Sequence, residues 1–296
     1  RQPWLLDVPW RLAVLDEAAY LAPAVWSAAI RPALADRRGE AMFLSTPRGR
    51  NWFWGLWMVG QQVGHPGWMS WRFPTAANPL IDPAEIEDAR ALLPERVFRE
   101  EYLAEFLDDG GRVFRRVDEA ATVAPGDMPQ PGERYIFGVD WGRDADFTCI
   151  AVLAAESRRL VALERFNALG WAAQRGRLAA LAEAWRPEAI WAEANSMGGP
   201  NIEALQEEGL PVIPFTTTAS SKRPLVEALA LALERGELAI LRDSILLDEL
   251  AAYTLERLPS GRYRYGAPPG LHDDTVIALA LAWHGALHGG SGVSFV

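Results

Sequence analysis

The chain has 296 residues and a hydrophobic content of 50%, which is enough for two modest domains with their own cores. Its formal net charge of -10 excludes a protein that coats nucleic acid over its whole surface, because backbone binding needs positive charge. No apolar run reaches the roughly 18 residues of a membrane span, and a single Cys149 excludes both an internal disulfide and a multi-cysteine zinc site.

The first part of the chain, residues 1–107, alternates predicted strands and helices. The strands are Leu12–Leu15 and Ala41–Leu44, and the helices are Pro23–Leu34, Asn51–Gln62, one that starts at Asp82-Pro83, and Pro94–Phe106. We expect Glu100, Glu101 and Glu105 on the solvent side of the last of these helices. The pattern is typical of an α/β domain.

Residues 108–133 are rich in Gly, Pro and Asp and poor in periodicity, so we interpret them as a linker. In residues 134–296 three predicted antiparallel strands come first, and helices and strands then alternate. The strands are Tyr135–Val139, Phe147–Leu153, Leu160–Phe166, 189–193 and 211–215, and the helices are 171–185, 199–208, 222–235, 243–256 and one from 273. This order predicts a mixed sheet flanked by helices.

Acidic residues stand at three places in this second half. Asp140 ends the first strand, Glu193 ends the fourth, and Asp273 and Asp274 begin the last helix. Crowded carboxylates repel each other unless some are protonated or cations neutralise them. Clusters with oxygen ligands only suit Mg²⁺ or Mn²⁺. The arrangement predicts a metal-dependent phosphodiester hydrolase, with two cations at the site.

Other interpretations of these residues stay open. An Asp after a strand is often a turn residue, and Asp273 or Asp274 could serve only as a helix N-cap. Asp146 is either a further ligand or a turn carboxylate. His272 is interpreted as a neighbour of the site and not as a ligand.

Another acidic pair follows the first strand of the chain. Asp16 and Glu17 fit either an exposed turn or a Walker B element, in which Asp16 would hold Mg²⁺ through water and Glu17 would polarise the water that attacks ATP. Ser45 and Thr46 end the next strand, which favours the nucleotide interpretation over a pair of hydroxyls that cap the following helix.

Arginine supplies nearly all of the positive charge, because Lys222 is the only Lys in the chain. Arginine can fork onto phosphates, although a solvated surface is the more common role for most of these side chains. The candidate contacts to a DNA backbone are Arg158, Arg159, and Lys222 or Arg223.

Five motifs follow one another along nearly the whole chain. They are Leu12-Ala-Val-Leu-Asp-Glu-Ala-Ala-Tyr20, Ser45-Thr-Pro-Arg-Gly-Arg-Asn51, Glu101-Tyr-Leu-Ala-Glu-Phe106, Gly138-Val-Asp-Trp-Gly142 and His272-Asp-Asp-Thr275. With these motifs in this order, the chain resembles the large terminase subunits of tailed phages. The resemblance implies that residues 1–107 are the later part of a P-loop ATPase domain and that residues 134–296 are a ribonuclease-H-like nuclease domain.

The resemblance also implies roles for residues and partners. Asp140, Glu193 and Asp273 or Asp274 would bind the nuclease metals, with Asp146 as an accessory carboxylate, and Ser45-Thr46 would couple ATP hydrolysis to DNA movement. The implied substrate is double-stranded DNA. The implied partners are a portal protein and a small terminase subunit, with a ring of copies on the portal, in the cytoplasm of an infected bacterium.

The chain departs from the family pattern in one respect. A Walker A loop requires Gly-Lys followed by Ser or Thr, and Lys222 lies far downstream in Ser-Ser-Lys-Arg-Pro. The chain also begins with Arg-Gln-Pro-Trp, without an initiator Met, so we expect a fragment that hydrolyses ATP poorly or not at all by itself. The alternatives are another ribonuclease-H-like nuclease, of the junction-resolvase or transposase type, and an inactive prophage remnant.

Overall fold

A computed structural model of the chain describes residues 10–62, 65–108, 111–142, 146–195, 198–257 and 263–289. The chain divides into two compact units. The first unit comprises Arg1–Gly111 and Glu256–Arg264, and the second comprises Arg112–Leu255 and Tyr265–Val296. No helix in the described ranges is both long enough and apolar enough to cross a membrane.

The first unit is built around two short parallel strands. Its elements are β1 (Leu12–Leu15), α1 (Arg31–Ala35), β2 (Glu40–Phe43), α2 (Trp52–Gln61), α3 (Pro83–Leu92) and α4 (Glu95–Glu101). Side-chain caps start two of these helices, since Asn51 accepts from two amides of α2 and Asp82 accepts from one amide of α3. One face of the strand pair packs on a small core, whereas Leu12, Val14 and Met42 on the other face are each more than half exposed.

Helix α4 differs from the sequence prediction in length and in its polar face. It ends at Glu101, and Glu100 is fully buried and not on the solvent side. Arg48 and Arg96 form ion pairs with Glu100 at 3.4 and 3.3 Å, and the Gly49 amide donates to it at 3.2 Å. The expectation for Glu100 was wrong because its cationic partner Arg48 comes from a distant part of the chain.

The second unit has a five-stranded mixed sheet in the order β5-β4-β3-β6-β7. The first three strands are antiparallel, and β3, β6 and β7 are parallel. The predicted mixed sheet flanked by helices is therefore confirmed. The elements of this unit are α5 (Val117–Ala120), β3 (Tyr135–Asp140), β4 (Thr148–Ala154), β5 (Arg159–Phe166), α6 (Trp171–Trp185), β6 (Ala189–Glu193), α7 (Gly198–Glu207), β7 (Val212–Phe215), α8 (Ala219–Glu234), α9 (Ser244–Ala252) and α10 (Asp274–His288). Between α9 and α10, β8 (Thr254–Arg257) and β9 (Tyr263–Gly266) form a separate two-stranded sheet.

Both faces of this sheet are covered, which explains why β3 and β4 are buried along their whole length and are apolar except for Asp140 and Thr148. Successive side chains of a strand point to opposite faces. Tyr135, Phe137 and Val139 enter a core with α6 and α7, whereas Ile136 enters the core that contains α8, α9 and α10. The alternation assigns Asp140, at the end of β3, to the face of α10.

Helix α10 lies against the sheet at unusually short range. Every residue from Thr275 to Gly285 is buried. A Cβ on Gly138 of β3 would lie 2.0 Å from the Ala278 carbonyl oxygen and 2.4 Å from the Ala282 amide nitrogen. Glycine is required at position 138 because the two backbones meet there.

Two further segments differ from expectation. Val113, Phe114 and Val123 lie in the segment interpreted as a linker, yet they are buried in the core of the second unit. Burial of these apolar side chains accounts for the structure of a segment that lacks periodicity. The helix predicted for 243–256 ends at Ala252, because Tyr253 is extended and the chain continues into β8 and its partner β9.

Candidate functional site

The carboxylates predicted from the second half of the chain meet at one end of the mixed sheet. Asp140 ends β3, and Glu193 ends the neighbouring parallel strand β6. Trp191, two residues before Glu193, belongs to the core on the α10 face, so the alternation assigns Glu193 to the same face as Asp140. Asp273 and Asp274 start the helix that covers this face.

Asp140 is the most deeply buried member of this carboxylate cluster. Burial raises the pKa of its carboxyl well above the ordinary value, and a hydrogen bond with Glu193 and the negative charges of Glu193, Asp274 and Asp273 add to the rise. Burial and the crowding of these carboxylates therefore favour the neutral form of Asp140. A divalent cation would reverse this effect, because positive charge favours the ionised carboxylate.

The carboxylate of Glu193 is fixed by its surroundings. Asn195 donates to Glu193 Oε1 at 3.2 Å and to the Thr217 carbonyl oxygen at 2.7 Å, so the amide joins the ends of β6 and β7. A Cβ on Gly198 would lie 2.0 Å from the Glu193 carbonyl oxygen. The first residue of α7 must therefore be glycine for the chain to turn this closely after Glu193.

Asp273 and Asp274 have different environments. Asp273 Oδ2 lies 3.2 Å from Lys222 Nζ, and both side chains are partly exposed. Burial and the charge of Glu249 raise the pKa of Asp274 to about 6, although His272 and a backbone hydrogen bond from Phe147 oppose the rise. Asp274 Oδ2 is buried without a hydrogen-bond partner and lies 3.5 Å from His272 Nδ1.

The cluster fits an oxygen-binding divalent cation in its chemistry. All of its ligating atoms are carboxylate oxygens, and one buried oxygen of Asp274 has no hydrogen-bond donor. Within the described residues, no three His, Cys, Asp or Glu side chains already form a cage for a cation. Cation binding would have to offset the burial and the carboxylate repulsion that favour the neutral form of Asp140.

Asp146 lies at the margin of the cluster. Its side chain is largely exposed, and its Oδ1 is 4.0 Å from His272 Nδ1. His272 thus stands between Asp146 and Asp274, and its ring packs edge-on against Phe147. The structure places His272 as a neighbour of the carboxylates, as the sequence predicts.

The basic residues proposed from the sequence are distributed over two ends of the sheet. Arg159 pairs with Ala154 at the end of the strands remote from Asp140, where Arg158 and Arg159 form ion pairs with Glu237 and Asp127. The structure does not bring these two arginines to the carboxylates. Lys222 does contact the cluster, whereas the neighbouring Arg223 forms an ion pair with Glu227 one turn along α8.

The acidic pair of the first unit directly follows β1, and Ser45 and Thr46 follow the parallel strand β2. Asp16 Oδ1 accepts from the Glu17 amide at 2.9 Å, and Glu17 has a left-handed backbone conformation. Ser45 donates to Glu17 Oε2 at 3.3 Å and accepts from the Ala19 amide at 3.1 Å. Thr46 follows directly and is half-buried. Ser45 therefore contacts the carboxylate of Glu17, which follows the other strand.

Glu249 is the residue that sequence reasoning missed. It is 7% exposed, accepts from the Thr275 amide at 2.9 Å, and contributes to the raised pKa of Asp274. A signal was present, because Glu249 shares a helix face with the apolar residues Leu246 and Leu250. A charged residue on a buried helix face needs a partner.

Comparison with known proteins gives a consistent family. A family model described as "Terminase RNaseH-like domain" matches residues 137–283. The large terminase subunit of Thermus virus P23-45 is 33% identical over 91% of this chain and 60% of its own length. That of Thermus phage G20c is 32% identical with the same coverage. The chain thus spans about 60% of the length of these relatives.

Solved structures give the same result for the second unit. The large terminase nuclease domain of Thermus phage P74-26 is 30% identical with a TM-score of 0.54, over 62% of this chain and 99% of that domain. The magnesium-bound nuclease of phage G20c is 29% identical with a TM-score of 0.56, over 60% and 98%. The large terminase of another thermophilic bacteriophage, at 14% identity, shares the fold over 93% of this chain and 70% of its own with a TM-score of 0.59.

Proposed function

This chain belongs to the large terminase subunits of phages and contains their ribonuclease-H-like nuclease domain, and from this premise we propose that it is a metal-dependent endonuclease that cuts double-stranded DNA during genome packaging. The observation that carries the proposal is the cluster of Asp140, Glu193, Asp273 and Asp274 at one sheet end. The relatives solved with magnesium and with cobalt are consistent with divalent cations as cofactors.

The residues of the cluster have distinct tasks in this proposal. Asp140 and Glu193 hold cations between neighbouring strand ends, and the Asn195 amide keeps Glu193 oriented. Asp273 and Asp274 bind from the start of α10, with Asp146 as an accessory carboxylate. When bound, two Mg²⁺ or Mn²⁺ ions would supply an activated water and stabilise the leaving oxygen of the phosphodiester.

The DNA surface is expected to recognise backbone phosphates and not bases, so the cut would have little sequence preference. Lys222 lies at the carboxylates and is the best placed of the proposed backbone contacts. Arg223 is adjacent on α8. Arg158 and Arg159 would serve only a DNA path that extends to the opposite end of the sheet.

For the whole protein we propose ATP-driven DNA translocation. In this proposal Asp16 would hold Mg²⁺, Glu17 would polarise the attacking water, and Ser45 with Thr46 would couple hydrolysis to movement. The hydrogen bond from Ser45 to Glu17 supports this assignment, because it gives the coupling motif a direct contact to the attacking-water residue. A portal protein, a small terminase subunit and a ring of copies are the proposed partners, in the cytoplasm of the infected cell.

The test is cleavage of supercoiled plasmid in Mn²⁺ by the full chain and by Asp140→Asn. We expect the variant to lose at least about a thousandfold in rate, because the substitution removes a charged ligand from the site, while its thermal unfolding is unchanged or shifted upward. Asp118→Asn is the matched control, since Asp118 is exposed in the same unit. Wild-type cleavage by Asp140→Asn would remove the site assignment. Preference for a four-way junction or an RNA hybrid over linear duplex would instead favour a resolvase or another ribonuclease-H-like enzyme.

A further inference from the structure

Helix α10 has an unusual N-cap. Asp273 occupies the N-cap position, where an Asp side chain normally accepts a hydrogen bond from the second or third amide of the helix. Asp273 makes no such bond. The amide of Thr275 donates instead to Glu249 Oε2 at 2.9 Å, and the Thr275 hydroxyl donates to the same oxygen. The cap of α10 is thus supplied by another helix, α9.

Glu249 is held firmly in this capping position. It is almost completely buried, and Arg165 Nη2 lies 3.4 Å from its other oxygen, Oε1. The Arg165 guanidinium also stacks on the ring of Phe147, next to the carboxylate cluster. A buried carboxylate is costly unless it is paired and hydrogen-bonded. Glu249 meets both conditions.

Because Glu249 caps the helix, the Asp273 side chain contacts Lys222 and not an amide of α10. Its Oδ2 lies 3.2 Å from Lys222 Nζ on the side of the carboxylate cluster, and its negative charge acts on Asp140. We propose that Glu249 is a positioning residue, which caps α10 in place of Asp273 and thereby leaves the Asp273 carboxylate available to divalent cations. This inference rests on the proposed metal-dependent nuclease function.

The physical reason is a competition for one carboxylate. Thr275 is fully buried, so its amide must have an acceptor. If Glu249 no longer reaches it, Asp273 is the side chain at the position from which this amide is ordinarily capped. Rotation of Asp273 onto the amide would satisfy the helix and remove a ligand from the cluster. Metal affinity would fall even though Glu249 itself binds no metal.

Two conservative variants separate the reach of Glu249 from its charge. Glu249→Asp keeps the charge but is shorter by one methylene, so it withdraws from the Thr275 amide. Glu249→Gln keeps the reach and an accepting oxygen but has no charge. Asp248→Asn is the matched control, because Asp248 is the exposed neighbour on α9 and the variant has the same charge change as Glu249→Gln.

The measurement is isothermal titration of the full chain with MnCl₂, after circular dichroism has verified that each variant is folded. Loss of a residue that orients a ligand typically weakens metal affinity about 10- to 100-fold. We expect Glu249→Asp to bind Mn²⁺ at least about tenfold more weakly than wild type. Glu249→Gln is expected to stay within about threefold, and Asp248→Asn to be unchanged. A crystal structure of Glu249→Asp should show Asp273 bound to the Thr275 amide.

The outcomes distinguish this inference from the function on which it rests. If the wild type takes up no Mn²⁺, the proposed metal-dependent function fails. If the wild type and Glu249→Asp bind equally well, only the positioning role is overturned. If Glu249→Gln loses as much affinity as Glu249→Asp, the charge of Glu249 is what matters, and the capping explanation is again overturned.

Discussion

In the first unit, Asp16 and Glu17 follow a strand with one described neighbour and an open apolar face, whereas in the second unit Asp140 follows a strand paired on both sides and covered by helix α10. Burial is the main cause of the raised pKa of Asp140. Glu17 instead accepts a hydrogen bond from the Ser45 hydroxyl at an exposed position. The comparison shows that the elements packed over the end of β3, and not the strand end itself, give Asp140 its raised pKa.

The close contact of β3 and α10 offers the strongest way to break this comparison. Gly138→Ala should cost about 4 kcal/mol or more, because the new methyl group meets backbone atoms that cannot move independently. Gly55→Ala in α2 of the first unit is the matched control. Its Cβ would meet no atom within 4 Å, so we expect stabilisation of up to about 1 kcal/mol.

Urea unfolding of the full chain, followed by circular dichroism, measures both effects. A Gly138→Ala chain as stable as the wild type would show that α10 lies further from β3 than described. The cluster of carboxylates would then lose the element that supplies Asp273 and Asp274.

Unfolding at acidic pH tests a buried group near the C-terminal end of α10, the side chain of His284. Burial lowers the pKa of His284 to about 4, with a contribution from the charge of His288. The unfolded chain therefore binds a proton below about pH 6.5 that the folded chain refuses. Above about pH 6.5 this group does not reduce the free energy of unfolding. As the pH falls towards about 4, the free energy of unfolding decreases, by roughly 3 kcal/mol at most.

The check is the free energy of unfolding of wild type and His284→Gln at several values between about pH 7 and about pH 4. The variant should lose less stability over this interval, because its side chain does not titrate. Equal losses in the two proteins would show that His284 is solvated in the folded state.

The smallest predicted effect is in the first unit. Ser45→Ala removes the donor to Glu17 and the acceptor of the Ala19 amide, and should cost about 1 kcal/mol. Ser27→Ala is the control, because Ser27 is exposed and its hydroxyl donates to the carbonyl oxygen of Pro23, four residues earlier in the chain. Thermal unfolding of both variants decides the point, and equal shifts would mean that Ser45 and Glu17 do not interact.

Much of the second unit could be predicted from the sequence. Apolar strands, turns and strand-end carboxylates are local patterns, and they indicate the succession of strands and helices, the helix from 273 and the convergence of Asp140 with Glu193. The partners of Glu100 and Glu249 could not be predicted in this way, although the apolar helix face of Glu249 indicates that it is buried. Each of these buried carboxylates forms an ion pair with an arginine from a distant segment: Glu100 with Arg48, and Glu249 with Arg165. Local periodicity contains no information about such partners.

The choice between ligand and N-cap for Asp273 also needed the structure. The sequence places an Asp directly before a helix, which fits an N-cap as well as a metal ligand. Only the position of Glu249 on another helix shows that the capping bond is already made. Val113 and Phe114 were missed for a related reason, since two apolar residues among turn residues have no period to detect.

Helix α10 also bears on the timing of folding during translation. The ribosome completes Asp140 and Glu193 long before Asp273, and the strands that α10 covers are made before α10 itself. A nascent polypeptide that ends before α10 lacks two carboxylates of the cluster, Asp273 and Asp274, and also the helix against which Ile136 and Trp191 pack. We therefore expect the complete core of this unit to form only after its last helix has been synthesised. Such a polypeptide would also lack the complete carboxylate cluster on which the proposed nuclease activity depends.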